Sequence, residues 1–226
     1  MPHPPTNPSP PSATPTGQEL QSQTLGEFLV QLAARLPAPG AGATAAVEAA
    51  LSASLIAMVG RFTTDDEHAD AIREIVEAAD AQREACMAAA AADESAFAAV
   101  AEAMGMPSTS EREKDARRAA LAGAQRDAAQ PPRAVIHAAT ELVSLAERLL
   151  PIANANLVSD VAAATAAARA AASTARLAVE TNLRGITDEH DRADLTSALA
   201  RVDDVAQRAD VVEEAVRGRI SGRDAG

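Results

Sequence analysis

Two amides, a hydroxyl and a carboxylate stand within seven residues, at the start of an alanine-rich segment. These four polar side chains belong to Asn154, Asn156, Ser159 and Asp160. A carboxylate flanked by hydrogen-bonding groups can take a proton from an attacking water, or stabilise a developing positive charge. The alternative is a plain helix cap, which Ser159 or Asp160 would supply alone. From the residues alone, both interpretations stay open.

A second candidate lies where prolines and glycines precede a helix of small residues. Gly40 and Gly42 come just before that helix, whose first N–H groups form the positive end of a macrodipole worth about half a unit charge. A carboxylate, a phosphate or an oxyanion binds well at such a place. The alternative is that the glycines only turn the chain and let two helices touch. A Gly-x-Gly that no strand precedes is not a dinucleotide-binding pattern.

Three other groups carry weaker indications of chemistry. The segment Asp188 to Asp191 holds metal-ligating residue types, but acids are expected in a first helical turn, and no second His or Cys cluster completes a coordination shell. Cys86 is the single cysteine and has no His near it in sequence, so it is interpreted as a buried thiol. Asp93 stands inside a long predicted helix, where by itself it is a surface carboxylate. We therefore expect no metal ion.

Hydrophobic periodicity predicts helices along the chain and no strands. A capping box, Thr24 to Glu27, starts the first helix, and Pro37 stops it. A doubled capping pattern, with Ser108 and Ser110 each three residues before a Glu, starts a later helix. The chain is predicted to be all-α, with one bundle of about seven helices over residues 23–220. A Pro-rich tail over 1–22 and an end at 221–226 are predicted to be disordered. The later helices are expected at about 43–62, 68–104, 110–130, 132–149, 161–184 and 188–220.

Composition and charge narrow the function classes. The chain is 47% hydrophobic but only 1% aromatic, so its core must come from close approach of alanine-rich helices. The net charge of -12 disfavours nucleic acid, whose phosphates require clustered Lys and Arg. No stretch is expected to span a bilayer, which takes about 20 apolar residues, and the start of the chain lacks a secretion pattern. We expect a cytoplasmic protein with neither nucleic-acid nor membrane partners.

Five short motifs, in order along the chain, resemble those of the formiminotetrahydrofolate cyclodeaminase and methenyltetrahydrofolate cyclohydrolase family. This all-helical module also forms the C-terminal part of formiminotransferase-cyclodeaminase. The motifs are Pro37-Ala38-Pro39-Gly40-Ala41-Gly42, Asp93-Glu94-Ser95-Ala96-Phe97, Met106-Pro107, Asn154 to Asp160 and Asn182 to Asp188.

The resemblance implies an enzyme that acts on the bridging carbon of methenyl- or formimino-tetrahydrofolate. It also implies a homodimer whose ligand lies between helices, with a tetrahydrofolate derivative as substrate and no tightly bound cofactor. In the cyclohydrolase direction water attacks that carbon, whereas in the cyclodeaminase direction the carbon loses ammonia; the sequence leaves both open. Asp160 is the first candidate for the proton-transferring carboxylate. Further implied site residues are Ser159 and Asp93 in catalysis, and Pro39, Gly40, Gly42, Thr44, Asn156 and Asn182 in substrate binding.

Departures from the family pattern support an alternative. Ala41 and Ala43 stand where the pattern has a further glycine and a serine, with Thr44 as the nearest replacement hydroxyl. The segment Thr63 to Glu67 is acidic where the family often carries lysines, which weakens attraction to a polyglutamate tail. The alternative is a catalytically degenerate member that acts as a folate-binding or helical interaction protein.

Overall fold

The structure, a computed structural model, describes residues 22–222. These residues form α-helices and one short 3-10 turn, and no strand occurs among them. The all-α prediction is therefore confirmed, whereas residues 1–21 and 223–226 of the two predicted tails lie outside the described residues. The elements are α1 (Leu25–Ala33), α2 (Ala41–Arg61), α3 (Ala69–Gly105), α4 (Glu111–Ala128), α5 (Gln130–Leu149), the 3-10 turn (Ala155–Leu157), α6 (Val158–Leu183) and α7 (Glu189–Ile220).

Both predicted capping boxes are present. Thr24 Oγ1 accepts the Glu27 N–H at 3.2 Å, and the Glu27 carboxylate accepts the Thr24 N–H at 2.7 Å. Ser110 and Glu113 form the same reciprocal pair at 3.3 and 2.8 Å. Each pair satisfies N–H groups that have no partner within the helix, which sets where α1 and α4 begin.

Three helices begin earlier than the sequence predicts. α2 starts at Ala41 instead of Ala43, and α6 starts at Val158 instead of Val161 because the 3-10 turn leads directly into it. α5 starts at Gln130, so both prolines of its sequence lie in its first turn. First-turn residues need no N–H for the helical hydrogen-bond ladder, so the prolines do not interrupt it.

The two central helices, α2 and α6, pack against each other in opposite directions. Their buried faces consist mostly of alanine, and such small side chains let helix axes approach to about 8 Å. α3 and α5 also pack on α2, and α7 covers α5 and α6. The N-terminal end of α2 therefore lies beside the C-terminal end of α6, which places the polar residues of both ends together.

The first helix lies at the edge of the bundle. Phe28 is its one buried residue, and it joins the main hydrophobic core. Leu25, Leu29 and Val30 stay exposed to solvent, although the sequence places Leu25, Phe28 and Leu29 on one apolar face. This chain alone therefore covers only part of that face.

Contrary to the sequence-based expectation, one helix has the length and composition of a membrane span. α2 contains an 18-residue window with mean hydropathy 1.6, and 61% of that window is buried inside the bundle. The core helix of a bundle passes the same test of length and composition, and α2 is such a core helix.

Candidate active site

A cleft of about 440 Å³ lies where the N-terminal end of α2, the second half of α3, the end of α4 and the end of α6 meet. Its volume falls in the range of small-molecule sites, roughly 300–1,000 Å³. The cleft combines an apolar wall with a small set of polar side chains. The polar ones are Asp93, Gln125, Thr181 and Asn182.

Asp93 places its carboxylate on the first turn of α2. Its Oδ2 accepts the Ala43 N–H at 3.1 Å, so it caps a helix whose own N-cap residue, Gly40, has no side chain. Burial raises the pKa of Asp93, and the Ala43 N–H partly offsets that rise. The anion site predicted at this helix start is therefore filled by the protein's own carboxylate.

Gly42 is the residue that makes room for this carboxylate. A Cβ atom at position 42 would lie 2.0 Å from Asp93 Oδ1, far inside contact distance, whereas a Cβ at Gly40 would meet nothing within 4 Å. The close approach between α2 and Asp93 thus requires glycine at position 42 and leaves Gly40 without a steric requirement.

A second carboxyl follows directly in sequence. Glu94 is only 4% exposed, and its Oε1 has no hydrogen-bond partner among the described residues. Burial, and then the neighbouring charge of Asp93, raise the pKa of Glu94. Both effects disfavour the charged form of Glu94.

The amide and hydroxyl groups of the cleft differ in how far they are engaged. Asn182 Nδ2 donates to the Ala128 carbonyl at 3.2 Å, and Thr181 Oγ1 donates to the Leu177 carbonyl at 2.8 Å. The Gln125 amide forms no hydrogen bond with another described residue. Gln125 therefore keeps its full donor and acceptor capacity for a bound molecule.

The apolar wall extends to a solvent-exposed rim. Phe97, Met104 and Leu177 are 47%, 53% and 63% exposed, on α3 and α6. Exposed large apolar side chains around a concave site provide contact area for a flat ring. Among the described residues that line the cleft, Asp93 carries the only formal charge.

The structure brings together four of the predicted site residues, Gly40, Gly42, Asp93 and Asn182. Pro39, also predicted to bind substrate, is buried immediately before them. Thr44 does not line the cleft, because its Oγ1 donates to the Gly40 carbonyl at 3.0 Å. Its hydroxyl thus supports the turn, and its role in substrate binding stays a prediction.

The predicted cluster from Asn154 to Asp160 lies at the opposite end of α2. Asn154 donates its backbone N–H to Thr63 Oγ1 and its Nδ2 to the Phe62 carbonyl, both at 3.1 Å. Its Oδ1 accepts the Asn156 N–H at 3.0 Å. Asp160 is half-buried in the first turn of α6, about six turns and roughly 33 Å from the cleft end of that helix.

Within one chain, therefore, Asp160, Ser159 and Asn156 are not joined to Asp93 in one site. Ser159 and Asn156 are exposed, and the amide of Asn154 acts as a cap. The structural interpretation of this segment as a cap accounts for Asn154. The catalytic roles predicted for Asp160 and Ser159 stay predictions, and Asp93 takes the first place among the candidate carboxylates.

The weaker candidates have local explanations. Asp188 caps α7 by accepting the His190 and Asp191 N–H groups at 2.9 and 3.0 Å. Cys86 is buried, and burial raises the pKa of its thiol to about 11, which keeps it protonated and unreactive at neutral pH. Within residues 22–222, no group of three or more His, Cys, Asp or Glu is placed to hold a metal ion.

Sequence reasoning missed Gln125 and Glu94. A single glutamine in a polar helix has no periodic or motif pattern that distinguishes it from a solvated residue. The one indication of Gln125 in the sequence is Gly185, because a glycine after a helix often permits another residue to approach closely. That contact exists here: a Cβ at Gly185 would lie 1.9 Å from Gln125 Oε1.

Comparisons with known proteins agree with one another. The chain is 30% identical over 207 residues to a methenyltetrahydrofolate cyclohydrolase of Methylorubrum extorquens, a match that covers 89% of this chain and 98% of the relative. It is 31% identical over 212 residues to a formimidoyltransferase-cyclodeaminase of Sus scrofa, covering 92% of this chain but 39% of that longer protein.

The fold is shared with a solved structure as well. A formiminotetrahydrofolate cyclodeaminase of Thermotoga maritima matches with a TM-score of 0.76 and 29% identity, over 87% of this chain and 98% of the other. A family model described as formiminotransferase-cyclodeaminase matches residues 24–201, which contain every element that forms the cleft. The chain therefore belongs to the formiminotransferase-cyclodeaminase family.

Proposed function

We propose that this protein is a folate one-carbon enzyme that hydrolyses the bridging carbon of methenyltetrahydrofolate in the cleft around Asp93. The single observation that carries the proposal is a half-buried carboxylate in an otherwise uncharged, largely apolar cleft of matching size. The methenyl bridge carries positive charge, so a lone carboxylate attracts it without competition from a lysine or arginine. The stand-alone cyclohydrolase relative, covered over 98% of its length, supports this direction.

Asp93 acts first as a base in this reaction. The oxygen of a water molecule attacks the methenyl carbon and forms the new C–O bond, while one of its protons passes to the Asp93 carboxylate. The addition product is neutral. The C–N5 bond then breaks, and protonated Asp93 returns its proton to N5. The remaining hydroxyl proton leaves to solvent as the formyl group forms. Proton transfer by a positioned carboxyl typically contributes about 10²- to 10⁴-fold.

A pKa above the ordinary aspartate value suits this double role. Burial raises the pKa of Asp93 and so brings it closer to the working pH, where a group both accepts and returns a proton efficiently. The Ala43 N–H keeps one carboxylate oxygen fixed, so the other is free to face the water. The helix start thus orients the base and limits the rise of its pKa.

Cyclodeamination is the second candidate reaction at the same site. The Thermotoga maritima neighbour bears that name, and its fold matches over most of both chains. In this direction N10 attacks the formimino carbon, and the N10 proton passes to the imine nitrogen. Protonated Asp93 gives that nitrogen a second proton, and its bond to the carbon then breaks, which releases ammonia and leaves the cationic methenyl bridge. The same carboxyl therefore serves as acid instead of base.

The alternative, a catalytically degenerate family member, rests on Ala41 and Ala43. The geometry of the cleft weakens the argument from these two residues. The Ala43 methyl is buried in the core, and the cleft uses only its backbone N–H, which donates to Asp93. Ala41 lines the cleft with a single methyl group. The glycine that the carboxylate cannot do without, Gly42, is retained.

The working unit is a homodimer, as the family resemblance implies. Leu25, Leu29 and Val30 of α1 are exposed, and a second copy would remove them from water. Light scattering on the purified protein tests this directly. A mass near twice the 23.1 kDa chain is expected, and a mass of one chain at micromolar concentration contradicts the dimer.

Two assays on the wild-type protein separate the candidate functions. Loss of the methenyl chromophore in water is expected for the cyclohydrolase, and ammonia release from formiminotetrahydrofolate for the cyclodeaminase. The chain has no Trp and no Tyr, so its own near-ultraviolet absorbance interferes little. Folate binding without turnover in either assay supports the degenerate alternative, and no binding at all refutes a folate site.

A further inference from the structure

The cleft offers an uneven supply of hydrogen-bond donors. The Asp93 carboxylate can only accept hydrogen bonds. The Thr181 hydroxyl already donates one to the Leu177 carbonyl, and the Asn182 amide nitrogen donates one to the Ala128 carbonyl. Gln125 is the one side-chain N–H donor among the described lining residues that has no internal partner. An acceptor atom on a bound molecule therefore has one side chain whose donors are both uncommitted.

Gly185 fixes where this amide lies. Gln125 stands between the cleft and an adjoining hollow of about 510 Å³, so empty space lies on two sides of it. On its third side, a Cβ at position 185 would lie 1.9 Å from its Oε1, 2.4 Å from its Cδ and 2.7 Å from its Nε2. The whole amide thus rests against the bare backbone of Gly185.

We propose that Gln125 is a specificity-determining residue that donates a hydrogen bond to the ring carbonyl of the pterin, and that Gly185 positions its amide to do so. The proposal rests on the proposed folate function of the cleft. Tetrahydrofolates carry a carbonyl acceptor on the ring and a cationic carbon at the bridge. Asp93 suits the bridge and Gln125 suits the carbonyl, so the two side chains together orient the substrate.

The geometry makes a prediction about related ring systems. A 4-amino pteridine replaces the ring carbonyl with an N–H donor, which the free donors of Gln125 do not match. A site that hydrogen-bonds one group discriminates against an analogue that leaves buried polar atoms unpaired. The wild-type cleft should therefore prefer 4-oxo over 4-amino ligands, and the identity of residue 125 should set that preference.

Gln125→Glu tests this part, because it keeps the size of the side chain and replaces the donor with an acceptor. Turnover of methenyltetrahydrofolate gives KM and kcat, and competition with folic acid and aminopterin gives the 4-oxo to 4-amino preference. We expect KM to rise about tenfold with a smaller change in kcat, and the preference to shift toward aminopterin by about tenfold, as for loss of one good hydrogen bond.

Gly185→Ala tests the positioning part. The added methyl meets the far end of a flexible side chain, so it displaces the Gln125 amide without breaking the fold. Gly123→Ala is the matched control, since a Cβ there meets nothing within 4 Å. We expect KM to rise severalfold for Gly185→Ala and to stay unchanged for Gly123→Ala. In a chain that already carries Gln125→Ala, adding Gly185→Ala should not change KM further.

Each result decides something. If the wild-type protein neither binds nor converts folates, the proposed function fails and this inference falls with it. If the wild type is active but Gln125→Glu leaves KM and the ligand preference unchanged, only the inference is overturned. If Gly185→Ala raises KM equally with and without Gln125→Ala, the glycine acts through its own backbone, and the positioning role is wrong.

Discussion

One polar cluster lies beside each end of α2, and the two clusters use their polar atoms differently. At the C-terminal end, Asn154 engages its N–H, its Nδ2 and its Oδ1 in bonds to the protein itself. At the N-terminal end, the Asp93 carboxylate makes one internal hydrogen bond, and the side-chain amide of Gln125 makes none with a described residue.

This difference separates a structural cluster from a candidate site. Polar groups that satisfy each other stabilise a connection between helices and leave little capacity for a ligand. Polar groups that face a cleft with spare capacity are costly to the fold unless a bound molecule or water pairs with them. This criterion favours the N-terminal end of α2, beside Asp93, as the place of the proposed reaction.

Asp93→Asn should have the largest effect. Its side-chain oxygen can still accept the Ala43 N–H, so the start of α2 keeps its cap, but the proton acceptor is lost. We expect kcat for loss of the methenyl chromophore to fall by about 10²- to 10⁴-fold. Circular dichroism should show unchanged helicity. A folded variant with the kcat of the wild type would remove Asp93 from the mechanism.

Gly42→Ala should come next, because its methyl would lie 2.0 Å from Asp93 Oδ1 and must displace the carboxylate. A shift of about 1 Å in a catalytic group can cost about 100-fold in rate. Gly40→Ala adds the same methyl two residues earlier, where nothing lies within 4 Å. Steady-state rates of the two variants should differ by about tenfold or more; equal rates would break the link between Gly42 and Asp93.

The raised pKa of Asp93 predicts opposite pH effects on activity and stability. Because the folded pKa lies above the ordinary value of 3.8, the folded state binds more protons than the unfolded state between these two pKa values. The contribution of Asp93 to stability is therefore fully present below pH 3.8 and is lost as pH rises through the folded pKa. Activity, which needs the carboxylate, should instead rise over that window.

Denaturant unfolding across this pH range measures the stability part. The free energy of unfolding of the wild type should fall with rising pH relative to Asp93→Asn, which cannot ionise. At neutral pH the variant should have the higher melting temperature, as is common when a site residue is removed. If the free energy of unfolding of the wild type instead rises with pH relative to that of the variant, the pKa of Asp93 is lowered in the folded state.

Asn154→Ala should have the smallest effect on activity. It removes the bond to the Phe62 carbonyl and the cap on the Asn156 N–H, which should cost about 1–2 kcal/mol in the free energy of unfolding. Its kcat and KM should match those of the wild type. A loss of activity without loss of stability would show that this end of α2 also takes part in the reaction.

Local sequence patterns predicted the helices well. The capping boxes at Thr24 and Ser110 are present as expected, because each depends only on residues three apart. The starts of α2 and α6 were placed two or three residues late, since helix starts without a capping box leave a weaker pattern. The family motifs identified Gly40, Gly42, Asp93 and Asn182, which do meet in one cleft.

Long-range packing determines what the sequence could not predict. Asn154 to Asp160 and Asn182 lie at opposite ends of one long helix, whose length sets them roughly 33 Å apart. No local pattern, however, indicates which of the two ends meets Asp93. The antiparallel packing of α2 on α6 decides that only Asn182 meets Asp93. Gln125 contacts Gly185, which lies in the turn after α6, and neither segment alone indicates that the other is its contact partner.

The most direct test compares Asp93→Asn with Asp160→Asn in the same turnover assay of methenyltetrahydrofolate. The account predicts a fall in kcat of about 10²-fold or more for Asp93→Asn. For Asp160→Asn, roughly 33 Å away along α6, it predicts a rate within about threefold of the wild type. A wild-type rate for Asp93→Asn together with an inactive Asp160→Asn would contradict the assignment of the active site to the cleft end of α2.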